Sequence, residues 1–433
     1  MSNLRRVVIT GRGVISPLGN TPTDLWNGLN EGKSGVSTFK NFPGDRLPAN
    51  YGAEAWSFTE KIDDFGPLPT PVKRQIRKGL KVMCREIKTG VAAAQLALSD
   101  SGLDVSSVDP ESIGVVYGSD FIITIPDEFA EAVRACQSES SFEYDQWAES
   151  GLPNVTPLWL LKYLPNMPAC HVAIYNDLRG PNNSLTVRES SSNLAISEAA
   201  TTIARGSADT MIAGATGTRI HPLRTVHTFL QEPVSSDCED PTTASRPFDA
   251  KRNGMVLGEG AAAVLLESLD TAVARNANIL GEVVGVGSSI VLQKNGIADR
   301  KTALINSIKQ ALAQAEMKAA DIGHVHAHGL STPNCDRDEA AAIQSFSDDA
   351  VVVAAKSNFG NLGAASGMVE AIASTMCLEN GHLFKAINYE HSDPECPLRL
   401  VTDNSTAAGD SFINLSVTPQ GQASAVIVKN YAG

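Results

Sequence analysis

No run of about 18 apolar residues occurs in the chain, so a membrane-spanning helix is not expected. Paired cysteines are missing as well. The seven cysteines (Cys84, Cys136, Cys170, Cys238, Cys335, Cys377 and Cys396) are odd in number, widely spaced and form no CxxC. That pattern excludes a disulfide framework and a zinc site, leaving reduced, mostly buried thiols and no expected metal. Nucleotide-binding loops are lacking too. There is no GxxxxGK[ST], and Gly11-Arg12-Gly13 lacks the third glycine of a GxGxxG. An excess of basic residues is also absent. The formal net charge of -13 argues against nucleic acid or an anionic membrane surface as partner. Met1 to Thr10 holds Arg5, Arg6 and a short Val7-Val8-Ile9, with no signal-peptide core and no small-residue cleavage site. A cytoplasmic location is the resulting expectation.

What is present is an ordinary globular composition, 42% hydrophobic, in a chain long enough for two structurally similar halves. Val7-Val8-Ile9 reads as a strand buried on both faces, followed by a sharp turn at Gly11 and Gly13. Thr21 caps a helix that has Pro22 at its first position. Residues 38–80 read as a loop-rich surface excursion, and residues 120–165 as an aromatic, acidic cap or dimer-facing insertion. Between and beyond them, strands alternate with helices. A helix over 82–101 precedes a strand at 113–118. A helix over 190–205, stopped by Gly206, precedes strands at 209–214 and 261–266. After about residue 275 the series restarts: strand 279–286, helix 301–313, a strand end at 324–328, strand 350–355 and helix 367–378. This alternation predicts a layered α/β fold with largely parallel sheets, and the restart predicts two similar halves, 1–268 and 269–433.

Several motifs, in order over nearly the whole chain, resemble the β-ketoacyl-acyl-carrier-protein synthase family, synthase II-like, of the thiolase superfamily. They are Arg5-Arg6-Val7-Val8-Ile9-Thr10-Gly11 with Ser16-Pro17-Leu18-Gly19, and Leu178-Arg179-Gly180-Pro181. Arg246-Pro247-Phe248-Asp249 follows, with Gly258-Glu259-Gly260 and Leu265-Leu266-Glu267. Then come His326-Ala327-His328-Gly329 with Ser331-Thr332-Pro333 and Asp336, and Lys356-Ser357-Asn358-Phe359-Gly360. The resemblance implies a thiolase-like fold of two similar βαβαβαββ-type halves in an α-β-α-β-α arrangement. It also implies a Cys–His–His site that handles acyl and malonyl thioesters on an acyl carrier protein. No resident cofactor is implied; the carrier's phosphopantetheine is a substrate arm.

Carried over residue by residue, the resemblance departs at the chemistry. The nucleophilic cysteine aligns with Glu189, beside Arg188, at the start of the helix that Gly206 ends. A carboxylate is a poor nucleophile toward a thioester, so condensation through Glu189 is not expected. The first catalytic histidine matches His328 and the second matches Asn361, whose amide donates a hydrogen bond but does not titrate near neutrality. Lys356 matches the supporting lysine and Glu370 an acidic residue on the next helix; either serves equally as a structural partner. The C-terminal run Asn414-Leu415-Ser416-Val417-Thr418-Pro419 lacks the family's aromatic gate, and Pro419 has no N–H to offer an oxyanion. The free N–H groups of the helix that follows, together with Arg188, are expected to hold Glu189 ionised.

Three readings follow. In the first, a dead site sits on a kept fold, and the protein is a non-condensing, chain-length-factor-like partner, in a heterodimer with a Cys-bearing homologue; a homodimer remains open. In the second it decarboxylates malonyl-ACP, although an ionised Glu189 repels the substrate carboxylate. In the third it is another acyl-thioester acyltransferase, using His328 with Glu189 as an acid–base pair, or Cys335 as the one other thiol near a histidine motif. Lys73, Arg74, Arg77, Lys78 and Lys81 form a basic cluster where an acidic carrier protein can dock, or simply a solvated face.

Overall fold

A continuous apolar sequence makes the first strand, β1 (Val7–Ile15), buried along its full length. Gly11 and Gly13 lie inside β1 and do not form the sharp turn that the sequence suggests. The reason is packing: a Cβ on Gly11 would sit 2.4 Å from the Ala97 carbonyl oxygen, and one on Gly13 2.1 Å from that of Ala93. Both oxygens belong to helix α1 (Arg85–Ser101), which lies directly on the strand. The structure is a computed structural model and describes residues 4–431.

The N-terminal half continues with β2 (Ile113–Ser119), α2 (Met167–Asn176), β3 (Asn182–Leu185), α3 (Ser191–Ala204), β4 (Thr210–Thr218) and β5 (Glu259–Ser268). The second half repeats the series as β6 (Gly281–Ile290), α4 (Arg300–Ala315), β7 (His324–His326), α5 (Pro333–Phe346), β8 (Val351–Val353), α6 (Ser366–Asn380), β9 (Ser411–Val417) and β10 (Gln422–Lys429). Strand order is β3-β2-β4-β5-β1 in one half and β8-β7-β9-β10-β6 in the other. In both, the first three strands of that order run parallel and the rest pair antiparallel. Pairing of β1 with β6, Val7 opposite Val283, joins the halves into an 11-stranded sheet that a short strand, Arg399–Leu400, extends beyond β8.

Helices α1 and α2 cover the first half-sheet from outside, and α4, with α5 packed against it, covers the second. Between the half-sheets lie α3 and α6, in contact with each other and with strands of both halves. Helix α6 is buried without interruption from Ser366 to Leu378, as a helix in a central layer must be. This is the five-layer thiolase-like arrangement. The stretch 38–80 holds more order than its prolines suggest. A helix occupies Thr70–Gly79, with Pro71 in its first turn, so Lys73, Arg74, Arg77 and Lys78 are helical and Lys81 follows in a single turn. The helix expected from residue 82 begins at Arg85.

Candidate functional site

The ends of the two central helices and of two strands meet at one buried place. Residues Arg188–Ser190 form a single turn that runs straight into α3. Arg188 takes a left-handed backbone, φ 50, a conformation that costs a non-glycine residue about 1–3 kcal/mol and persists only where its surroundings enforce it. The enforcement is visible in hydrogen bonds across the halves. Ser190 Oγ donates to the Gln422 carbonyl at 2.8 Å, Ser192 Oγ to that of Ala364, and Asn193 Nδ2 to that of Asn414 at 3.1 Å. Polar residues in the first turn of α3 thus fasten it to the second half.

Glu189 is 1% exposed. Its Oε1 accepts from the Arg219 guanidinium and, at 3.3 Å, from Asn361 Nδ2. Its Oε2 stands 3.3 Å from Arg188 Nε without hydrogen-bond geometry. The pairing continues outward on both sides. Arg188 donates to Glu232 at 2.6 Å. Arg219 lies 3.5 Å from Asp120, Asp120 3.2 Å from Arg224, and Arg224 3.6 Å from Glu86. Burial is the largest influence on Glu189 and pushes its pKa up, but Arg188 and Arg219 outweigh it and hold the carboxyl well below its ordinary value. The expectation of an ionised Glu189 therefore stands on two guanidinium groups more than on the helix N-terminus.

A second group faces it. Lys356 Nζ donates to the His328 carbonyl at 2.6 Å and to Glu370, and lies 3.3 Å from His328 Nδ1. With Nδ1 accepting from the ammonium, the ring proton sits on Nε2, which among the described residues has no partner. Burial, then the charge of Lys356, keeps the His328 pKa well below the usual imidazole value, so the ring is neutral. Glu339 and Asp336 of α5 fix the loop after β7. Glu339 accepts from the N–H groups of His328 and Gly329 at 2.6 and 2.8 Å, and Asp336 from those of Leu330 and Ser331 at 3.0 and 3.1 Å.

The comparisons with known proteins agree with one another. The model of the β-ketoacyl synthase N-terminal domain matches residues 4–272, and that of the C-terminal domain matches 280–390. The chain belongs to the β-ketoacyl synthase family. It is 34% identical over 402 residues to 3-oxoacyl-[acyl-carrier-protein] synthase 2 of Coxiella burnetii, covering 92% of this chain and 91% of that one. It is 32% identical over 408 residues to the actinorhodin polyketide putative β-ketoacyl synthase 1 of Streptomyces coelicolor, covering 92% and 82%. The solved ishigamide ketosynthase/chain length factor superposes with a TM-score of 0.83 at 25% identity, over 99% of this chain and 100% of that one.

Within this ketosynthase fold, the residues singled out from the sequence fall into two contacting sets and one outlier. Arg188 and Asn361 both meet Glu189; His328 and Glu370 both meet Lys356 and form the second set. Asn361 is held at both ends of its amide, since its Oδ1 accepts from the Gly363 N–H at 3.0 Å and Ser366 Oγ at 3.3 Å. Thr418 closes a tight turn between β9 and β10, where its N–H donates to the Gln422 carbonyl at 2.8 Å and its Oγ1 accepts from the Gln422 N–H. Among the described residues its hydrogen bonds stay within that turn, whose Gln420 receives Arg188 at 3.5 Å. Sequence reasoning missed Arg219, Arg224, Asp120 and Glu339. The one available signal was Thr218-Arg219, an arginine directly after a fully buried strand. Burial pushes the Cys335 thiol up to about 11, away from the thiolate that a nucleophile needs.

Proposed function

We propose that this ketosynthase-family protein is a non-condensing, chain-length-factor-like subunit that pairs with a Cys-bearing homologue acting on acyl and malonyl groups carried by an acyl carrier protein. One observation carries the reading. Where the resemblance puts the nucleophile stands a buried carboxylate already neutralised by Arg219 and Arg188. A thiolate nucleophile must be free to attack, whereas this group is committed to an internal ion-pair chain. Asn361, engaged at both ends, cannot serve as the acid–base that a second histidine would be. Decarboxylation is disfavoured by the same charge, because an ionised Glu189 opposes both a malonyl carboxylate and the enolate formed from it.

Two experiments test this. Purified protein incubated with malonyl-ACP, with and without an acyl-ACP, should give neither acetyl-ACP nor β-ketoacyl-ACP by mass spectrometry. Co-expression with a Cys-bearing homologue from the same source should give a heterodimer whose β-ketoacyl chain length differs from that of the homologue alone. Turnover by the isolated chain, or a companion synthase indifferent to its presence, would sink the proposal.

A further inference from the structure

Among the described residues, three side chains hydrogen-bond or ion-pair with the Glu189 carboxylate: Arg219, Asn361 and Arg188. Two of them are sealed from water with it. Glu189 and Asn361 are each 1% exposed and Arg219 is 4% exposed. Arg188 differs, with 26% of its side chain in solvent. It also reaches outward. Its guanidinium donates to Glu232, which follows the helix Pro222–Gln231, and to Gln420 at the exposed tip of the β9–β10 turn. One side chain thus joins Glu189 to two surface loops, one from each half of the chain.

The backbone there does not depend on that side chain. The positive φ of Arg188 is enforced by bonds from Ser190, Ser192 and Asn193 to the second half, none of which involves the guanidinium. The guanidinium itself is unevenly held. Its bond to Glu232 is 2.6 Å, whereas those to Gln420 and to Glu189 Oε1 are each 3.5 Å, at the limit of hydrogen bonding. Arg188 Nε is buried 3.3 Å from Glu189 Oε2, with no hydrogen-bond partner among the described residues. A buried N–H left unpaired costs free energy, which leaving the site for water returns. One firm anchor at the outer end and an unsatisfied inner end suit a side chain that swings away.

We infer that Arg188 is a lid. With its guanidinium on Glu232 and Gln420 it closes the Glu189 position to molecules entering from solvent, and release of those contacts opens it. Such a lid governs entry, whatever chemistry Glu189 does or does not support.

Carboxylate labelling of the full chain with a water-soluble carbodiimide and glycine ethyl ester, located residue by residue by mass spectrometry, tests the inference. In the wild type Glu189 should stay unmodified while the exposed Glu239 is labelled. Arg188→Gly removes the lid and suits the positive φ, so Glu189 labelling should rise about tenfold or more. Glu232→Gln removes the firm anchor and should raise it about tenfold, the worth of one charged hydrogen bond. It serves as the readout if Arg188→Gly fails to fold. Glu370, fully buried against Lys356, should stay unmodified in all three chains. Wild-type Glu189 labelled as fast as Glu239 would overturn the inference, as would Glu189 unmodified in both variants. Glu370 labelled together with Glu189 would also overturn it, because access would then come from loosening of the whole cluster.

Discussion

Glu189 and Arg219 decide the character of the site, because neither is tolerable there alone. Breaking a buried ion pair by removing one charge costs about 3–5 kcal/mol, whereas replacing both partners with apolar or neutral groups of similar volume is often neutral. Glu189→Gln should therefore lower stability by about that amount, since it leaves Arg219 facing Asp120 at 3.5 Å as its remaining acidic partner. Adding Arg219→Met should restore most of the loss. Urea unfolding of the two single variants and the double gives the coupling energy directly. A double variant as weak as the sum of the singles would show that the two side chains act independently. This pair also marks where reading the sequence stops. Glu189 with Arg188 and Asn361, and His328 with Lys356, were legible because motif order fixes their places. Arg219 was not, because it lies 30 residues from Glu189. Its place after a strand whose nine residues are all buried was the one sign of it, and that sign names no partner.

Elements show a symmetry that the residues hide. In the first half a pair of glycines in β1, Gly11 and Gly13, lies under carbonyls of α1 four residues apart, Ala97 and Ala93. In the second half Gly285 and Gly287 of β6 lie under Ala311 and Ser307 of α4, with would-be Cβ contacts of 2.2 and 2.0 Å. Each half thus presses a helix onto its first strand by the same device. The contacts are to backbone, which has little room to give, so Gly287→Ala should cost about 2–3 kcal/mol by forcing α4 off the sheet. Gly102→Ala offers the contrast. Its φ is 63 with nothing within 4 Å, so only the backbone penalty of about 1–2 kcal/mol applies. Thermal unfolding of both variants separates the two effects, and equal losses would refute the packing argument. From the sequence, the strand–helix alternation and its restart near residue 275 were visible. The glycine device was mistaken for a turn, since a glycine needed for close approach looks the same in sequence as one needed for positive φ. The helix at Thr70–Gly79 was missed for a similar reason: prolines that punctuate loops also suit a helix's first turn.

At the scale of the whole molecule, burial of ionisable groups sets how stability varies with pH. Glu339 is pushed up to about 8, Glu86 to about 7 and Asp336 to about 6, burial being the largest cause for each. Such acids hold protons in the folded chain that they lose on unfolding, so stability falls as pH rises through these values. Five buried histidines do the opposite. His171, His221 and His324 are lowered to about 4, and His326 and His328 well below the usual value, all chiefly by burial. They are neutral when folded and take protons on unfolding, so stability falls as pH drops below their unfolded value of about 6.5. Glu189, with its depressed pKa, contributes fully above its unfolded value of about 4.3 and is lost only as pH falls through its folded one. Above about pH 6.5 the raised acids act alone and the slope is negative. Below it the histidines offset and exceed them. The denaturation midpoint should therefore peak near pH 6.5, well away from the sequence pI of about 5.1. Glu86→Gln should flatten the alkaline limb, and His171→Phe, which keeps a ring against Tyr175, should flatten the acidic one. A midpoint still rising between pH 7 and 8 would mean that Glu339 and Glu86 stay ionised in the folded chain, and that their neighbours solvate them better than their burial implies.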